Sequence, residues 1–210
     1  MYDKAALLAA ASNPRRATLD DAVPLSKVFA AAFMDDPLFD HMVRPGAGRK
    51  AALELFFHRM LSLRDIPQGN VWMSADGQAC VSWLSPDARR SPTLLRKISL
   101  LPFLVRVFSL ARLGRGMAVM DAMEKNHPPG RHFYLTFIAV APEHHGLGLG
   151  SRILKATLKQ VDAAGLGAYV ESSNPKNASF YERAGFVARK NIAPDGWPSL
   201  IAMWRDPNPV

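Results

Sequence analysis

The sequence predicts one domain of mixed α/β class, a mixed sheet with helices on both faces. Three observations predict it. Two short apolar runs flank Asp76-Gly77, the pattern of a β-hairpin. The last third alternates strand and helix patterns in the order β-α-β-α-β-β. No repeat and no low-complexity linker divides the 210 residues, a length that suits a single domain.

Taken in order, residues 1–14 read as a flexible arm and 15–206 as the domain. A short strand is expected through Arg16, Ala17 and Thr18. Asp20 or Asp21 offers an N-cap for a helix from about Val23 to Phe33, where Leu25, Val28, Phe29, Ala32 and Phe33 recur at helical spacing. Asp36-Pro37 breaks that helix. Leu53, Phe56, Phe57, Met60, Leu61 and Leu63 mark a second helical stripe over 48–63. The hairpin strands span 70–74 and 78–84. A helical insertion follows at about 91–125, interrupted by Pro102, Gly114 and Gly116. A strong strand, HFYLTFIAVA at 132–141, enters a Gly-rich turn at 146–150, and a helix runs from about 148 to 163. A strand at 168–171, a short helix at 174–184 ended by Gly185, and strands at 186–190 and 200–204 complete the chain.

Composition excludes several classes. Hydrophobic residues at 49% and charged residues at 21% are globular proportions, which rules out disorder throughout. The single cysteine, Cys80, excludes an internal disulfide and a Cys-rich zinc site, and no metal is expected. No long charge-free stretch marks a transmembrane helix, and the first residues make a poor secretory signal, so the expected location is cytoplasmic. The net charge of +8 is the unusual number, and it admits nucleic acid, an acidic membrane surface or an anionic small molecule as partner. Arg89, Arg90, Arg96, Lys97, Arg106, Arg112 and Arg115 fall between Ala88 and Met120 with no acidic residue among them. Scattered as they are, they read as an outward helical face, with no nucleic acid and no membrane as partner.

The turn Val140-Ala-Pro-Glu-His-His-Gly146-Leu-Gly148-Leu-Gly150-Ser151 carries the most chemistry. Glycines let a backbone approach a ligand closely, and the start of a helix offers spare N–H groups and a positive dipole end. Together they suit a phosphate or pyrophosphate. A Walker A loop needs a Gly-Lys-Ser/Thr that is missing here. A dinucleotide fingerprint counted from Gly146 meets Ser151 where its third glycine belongs, and too few residues follow for a doubly wound domain.

The run Val140-x-Pro142…His145-Gly146-Leu147-Gly148-Leu149-Gly150 resembles motif A of the GCN5-related N-acetyltransferases (GNAT), with His145 where Gln or Arg is usual. The segment Asn174-Pro-Lys-Asn177-Ala-Ser-Phe180-Tyr181-Glu-Arg-Ala-Gly185-Phe186 is similar to the same family's Asn…Tyr…Gly-Phe segment. AAAFMDDPLF, WMSADGQACVSWLSP and HPPGRHFYL resemble the subgroup that contains puromycin N-acetyltransferase. The likeness covers about residues 15–206.

The resemblance implies the GNAT fold, a mostly antiparallel mixed sheet splayed after its fourth strand. It implies transfer of the acetyl group of acetyl-coenzyme A to a primary amine of a small molecule by direct attack, by a monomer or homodimer without metal. A protein or peptide amine is the alternative acceptor, and a non-catalytic nucleic-acid or membrane-surface module the alternative class. His145, Gly146, Leu147, Gly148, Leu149, Gly150 and Ser151 are implied at the pyrophosphate; Ile138, Ala139 and Val140 along the pantetheine arm; Asn174, with Asn177 second, beside it. Tyr181 is implied as the acid for the leaving thiolate. Glu171, His127 and bulk water are the candidate bases, with Glu171 favoured. Phe33, Asp36, Trp83, His127 and Tyr134 are the candidate acceptor-side residues.

Overall fold

A computed structural model describes residues 3–88 and 100–208. Its described strands form one seven-stranded sheet in the order β1-β2-β3-β4-β5-β7-β6, where β1 is Arg15–Arg16, β2 Val71–Met73, β3 Ala79–Leu84, β4 Phe133–Val140, β5 Ala168–Ser172, β6 Val187–Asn191 and β7 Ile201–Arg205. The β4–β5 pair is parallel and every other described pair is antiparallel. The expected mixed, mostly antiparallel sheet is therefore present.

Helices cover both faces. On the first face lie α2 (Ala22–Ala32), α4 (Arg49–Met60), α5 (Leu101–Phe108) and α6 (Leu113–Asn126). Their Leu25, Phe29, Leu53, Phe57, Val107 and Val119 join Val71, Cys80, Ala139 and Tyr169 of the sheet in one core. On the second face lie α1 (Lys4–Ser12), α7 (Leu149–Ala163) and α8 (Ala178–Glu182). There Leu149, Ile153, Leu154 and Tyr181 pack with Val81, Trp83, Leu135 and Val170. A fully buried side chain such as Phe29 or Phe57 contributes about 1.5–3 kcal/mol by leaving water.

Several elements differ from expectation for identifiable reasons. Residues 4–12 are helical rather than a flexible arm, because Leu7 and Ala11 are buried against the second-face core and Asp3 caps the first turn. Asp36-Pro37 ends α2 as expected, but it also starts α3 (Pro37–Met42). Asp36 Oδ1 accepts the N–H groups of Leu38 and Phe39 at 3.0 and 3.1 Å, and Pro37 occupies a first-turn position that needs no donor. Pro102 likewise begins α5, and Gly114 and Gly116 lie inside α6. Gly116 admits the Phe108 ring, whose atoms lie 2.4 Å from where a Cβ would stand.

The basic segment is not wholly an outward face. Arg112 donates to the Asp40 and Val43 carbonyls, and Arg115 to the His41 carbonyl, so both bind the C-terminal end of α3 where the helix dipole is negative. Arg106 is exposed. Residues 91–99 of the expected insertion, and with them Arg96 and Lys97, lie outside the described residues, as do Arg89 and Arg90. No described helix is long and apolar enough to cross a membrane.

Candidate active site

The site begins where β4 leaves β5. The two strands pair only through Phe133–Ala168, Tyr134–Tyr169 and Leu135–Val170, after which β4 runs on to Val140 without a β5 partner. The Phe133 N–H donates to the Gly167 carbonyl at 2.9 Å, so odd-numbered residues of early β4 turn their backbone toward β5. Against β3, Ser82 pairs with Phe137 but Trp83 with Leu135, which leaves Thr136 as an extra residue, a β-bulge. Past the bulge the parity reverses. The Ala141 N–H donates to the Gln78 carbonyl, so Ala139 turns its backbone to β3, while Ile138 and Val140 present theirs to the open wedge. Of the three β4 residues expected along a donor arm, two have main-chain groups on the wedge.

The wedge closes on the Gly-rich turn. Gly146 and Gly148 have φ of 76° and 92°, left-handed conformations that cost a residue with a Cβ about 1–2 kcal/mol. Gly148 is the N-cap of α7, so the N–H groups of Leu149, Gly150 and Ser151 form the helix's first turn, where no intrahelical partner exists. His145 Nε2 donates to the Val140 carbonyl at 2.9 Å, which occupies one of the wedge acceptors. Across the wedge, Asn174 turns its side-chain oxygen back to the Lys176 N–H, and Asn177 is exposed. Tyr181 is buried between Phe180 and Phe186. Burial, and then the charge of Asp36, push its phenol above the usual range, so the hydroxyl keeps its proton.

The first face of the sheet carries the acid–base group. Tyr134, Tyr169 and Glu171 share that face, because Tyr134 and Tyr169 are register partners and Glu171 lies two residues on. Both phenols donate to Glu171: Tyr134 to Oε2 at 2.5 Å and Tyr169 to Oε1 at 3.0 Å. Burial raises the Glu171 carboxyl to about 7, and the two hydroxyl donors oppose that rise. The His127 ring packs edge-on against both phenols with centroids 5.0 Å away, and its Nε2 meets Nε2 of buried His132 at 2.9 Å.

The other expected acceptor-side residues divide. Phe33 packs against Phe39, Phe57 and Phe137 on the first face. Asp36 is buried; besides capping α3 it accepts from Ser173 Oγ at 2.6 Å, which ties the α2–α3 loop to the end of β5. Burial raises its carboxyl pKa. Trp83 stands apart from this group. Its ring is fully buried on the opposite face with Nε1 donating to Thr157 of α7, because it shares the register and the face of Leu135. Tyr169, Ser173 and His132 belong to neither the Gly-rich turn nor the Asn…Tyr…Gly-Phe segment. The period-two spacing of Tyr169 and Glu171 was the available signal for the first; the rest depend on tertiary approach. Among the described residues no group of His, Cys, Asp and Glu side chains is arranged to hold a metal ion.

Comparison with known proteins agrees with this geometry. Residues 106–186 match the acetyltransferase (GNAT) family. A structure from Corynebacterium glutamicum described as histone acetyltransferase HPA2 and related acetyltransferase is 24% identical, with a TM-score of 0.71 over 93% of this chain and 96% of that one. Arylalkylamine N-acetyltransferase 2 from Aedes aegypti is 13% identical, with a TM-score of 0.63 over 93% and 99%. The PaiA N-acetyltransferase of Thermoplasma acidophilum, in complex with coenzyme A, is 11% identical, with a TM-score of 0.54 over 92% and 98%. All three share the fold.

Proposed function

We propose that this chain is an acetyltransferase of the GNAT superfamily and transfers the acetyl group of acetyl-coenzyme A to a primary amine of a small molecule by direct attack. The observation that carries the reading is the wedge. It has free strand-edge groups on one lip, a helix N-terminus with two left-handed glycines at its end, and a half-buried carboxyl of pKa about 7 on the other lip.

These residues fit the donor. The N–H groups from Gly146 to Ser151 are suited to a pyrophosphate. The backbone of Ile138 and the N–H of Val140 are suited to pair with an extended amide arm, with Asn174 opposite and Asn177 as a second partner. When bound, the donor supplies a thioester whose acetyl group can pass to an amine. An N–H of Ile138 or Val140 stabilises the charge that gathers on the acyl oxygen. Tyr181 stays protonated and gives its proton to the departing sulfur. Glu171 takes the proton of the attacking amine, and a carboxyl near 7 is matched to that task at neutral pH. Tyr134 and Tyr169 hold Glu171; Phe33 and His127 wall the acceptor side, and Asp36 anchors its loop. The aromatic lining of that side and the likeness in fold to an arylalkylamine N-acetyltransferase favour an amine on an apolar or aromatic body.

A thiol-release assay with arylalkylamines, polyamines, puromycin and aminoglycosides tests the proposal. Acetyl-coenzyme A-dependent release with at least one small amine is expected. Silence across the panel, together with no heat of coenzyme A binding, would overturn it.

A further inference from the structure

The bulge at Thr136 decides which β4 amides face the wedge, and a buried polar brace leads to it. After α4 the chain makes a π-helical turn, Leu61–Asp65, closed by the Ile66 N–H on the Leu61 carbonyl at 2.9 Å. Such turns widen a helix by one residue and occur mostly singly, often at functional sites. This one delivers Arg64 and Asp65 to the first face of the sheet. Asp65 is fully buried and paired with the Arg64 guanidinium. Its Oδ2 accepts from Ser82 Oγ at 2.8 Å. The Ser82 carbonyl in turn accepts from Thr136 Oγ1 at 3.0 Å. Ser82 is the β3 residue at which the register shifts, so the brace that starts at Asp65 ends on the bulge.

Stability alone is a poor reason for this arrangement. The Arg64 side chain stays 33% exposed, but fully buried Asp65 loses its water, so the pair gains little over packed apolar side chains. Position is a better reason. Without the extra residue, Phe137 and Ala139 rather than Ile138 and Val140 would turn their N–H groups to the wedge. Arg64 also lies where its charge acts on Tyr134, the phenol that holds Glu171.

We propose that Asp65, acting through Ser82 and Thr136, is a positioning residue for acetyl transfer: the brace holds the β4 bulge and so fixes the Ile138 and Val140 amides against the donor. The proposal rests on the acetyl-transfer reading.

The test is calorimetric titration of coenzyme A into the full chain and three variants, with Tm measured alongside. Thr136→Val keeps the β-branched shape and removes the donor; it is expected to weaken binding about tenfold, the scale of one lost positioning hydrogen bond, while Tm falls by no more than about 4 °C. Thr136→Ser keeps the hydroxyl and is expected to bind within about twofold of the parent. Ser82→Ala cuts the link to Asp65 but leaves the carbonyl, and is expected to weaken binding about threefold to fivefold; it serves if the valine variant does not fold. A purely structural bond would lower Tm and leave the affinity of the folded protein unchanged, which would overturn the proposal. Equal weakening by valine and serine would overturn it as well. A parent that gives no coenzyme A binding overturns the acetyl-transfer reading itself and the proposal with it.

Discussion

Replacing Tyr134 by Phe removes one of the two hydroxyls that oppose the burial-driven rise of the Glu171 carboxyl. A hydrogen bond to an ionised group contributes about 1.5–3 kcal/mol, and one pKa unit corresponds to about 1.4 kcal/mol, so the carboxyl should rise by about one unit or more. With Tyr169 still bound at 3.0 Å, the lower end of that range applies. Moving from about 7 to about 8 cuts the ionised fraction at pH 7 from about a half to about a tenth. The assay is kcat/KM against pH from 5.5 to 10 in parent and variant, which reports the free enzyme's essential base. The variant should be about fivefold slower at pH 7 and recover toward the parent at high pH. An unshifted profile, or a drop of equal size at every pH, would refute the assignment of Glu171 as base.

Three further outcomes follow from the same geometry. Tyr181→Phe should lower kcat by about 10²-fold or more while coenzyme A affinity, read by calorimetry, stays within about twofold; an unchanged kcat removes Tyr181 from the acid role. Asp36→Ala should lose the α3 cap and leave Ser173 unpaired, costing about 2 kcal/mol and lowering Tm by about 4–8 °C, whereas Asp36→Asn should retain most of the cap. Asp162 is held below the usual carboxylate range by its two-pronged bond to Arg205 at 2.7 and 2.9 Å, so its stabilising contribution is present above the unfolded-state pKa and lost as pH falls through the folded one. Urea midpoints of parent and Asp162→Asn should therefore differ at pH 7 and converge at pH 2; a constant gap would contradict the linkage.

The hairpin and the last third were legible because their signals are local. The continuous apolar run at 132–141, positive-φ glycines and the Asp76-Gly77 turn each specify a conformation within a few residues. β2 and β3 formed inside the expected 70–74 and 78–84. The N-terminus was less legible. α1 is Ala-rich and carries no clear apolar stripe, so its order comes from what α7 offers it and not from its own pattern. Asp36-Pro37 could be read as a stop but not as a start, since the cap depends on the loop doubling back. Within the site, the Gly-rich turn, Glu171 and Tyr181 lie in recognisable strings. The Tyr134–Glu171 clamp spans 37 residues, and the Ser173–Asp36 bond spans 137, so nothing local announces them. Trp83 faces α7 and not the expected acceptor side, because period-two alternation along β3 puts it on the face of Ala79 and Val81.

The central claim is that the wedge passes an acetyl group to a small amine. It is tested most directly by incubating the protein with isotopically labelled acetyl-coenzyme A and the amine panel, then locating the label by mass spectrometry. The account predicts label on the primary amine of a small molecule, lost in Glu171→Gln at neutral pH. Label on no amine, or only on protein side chains, would contradict it.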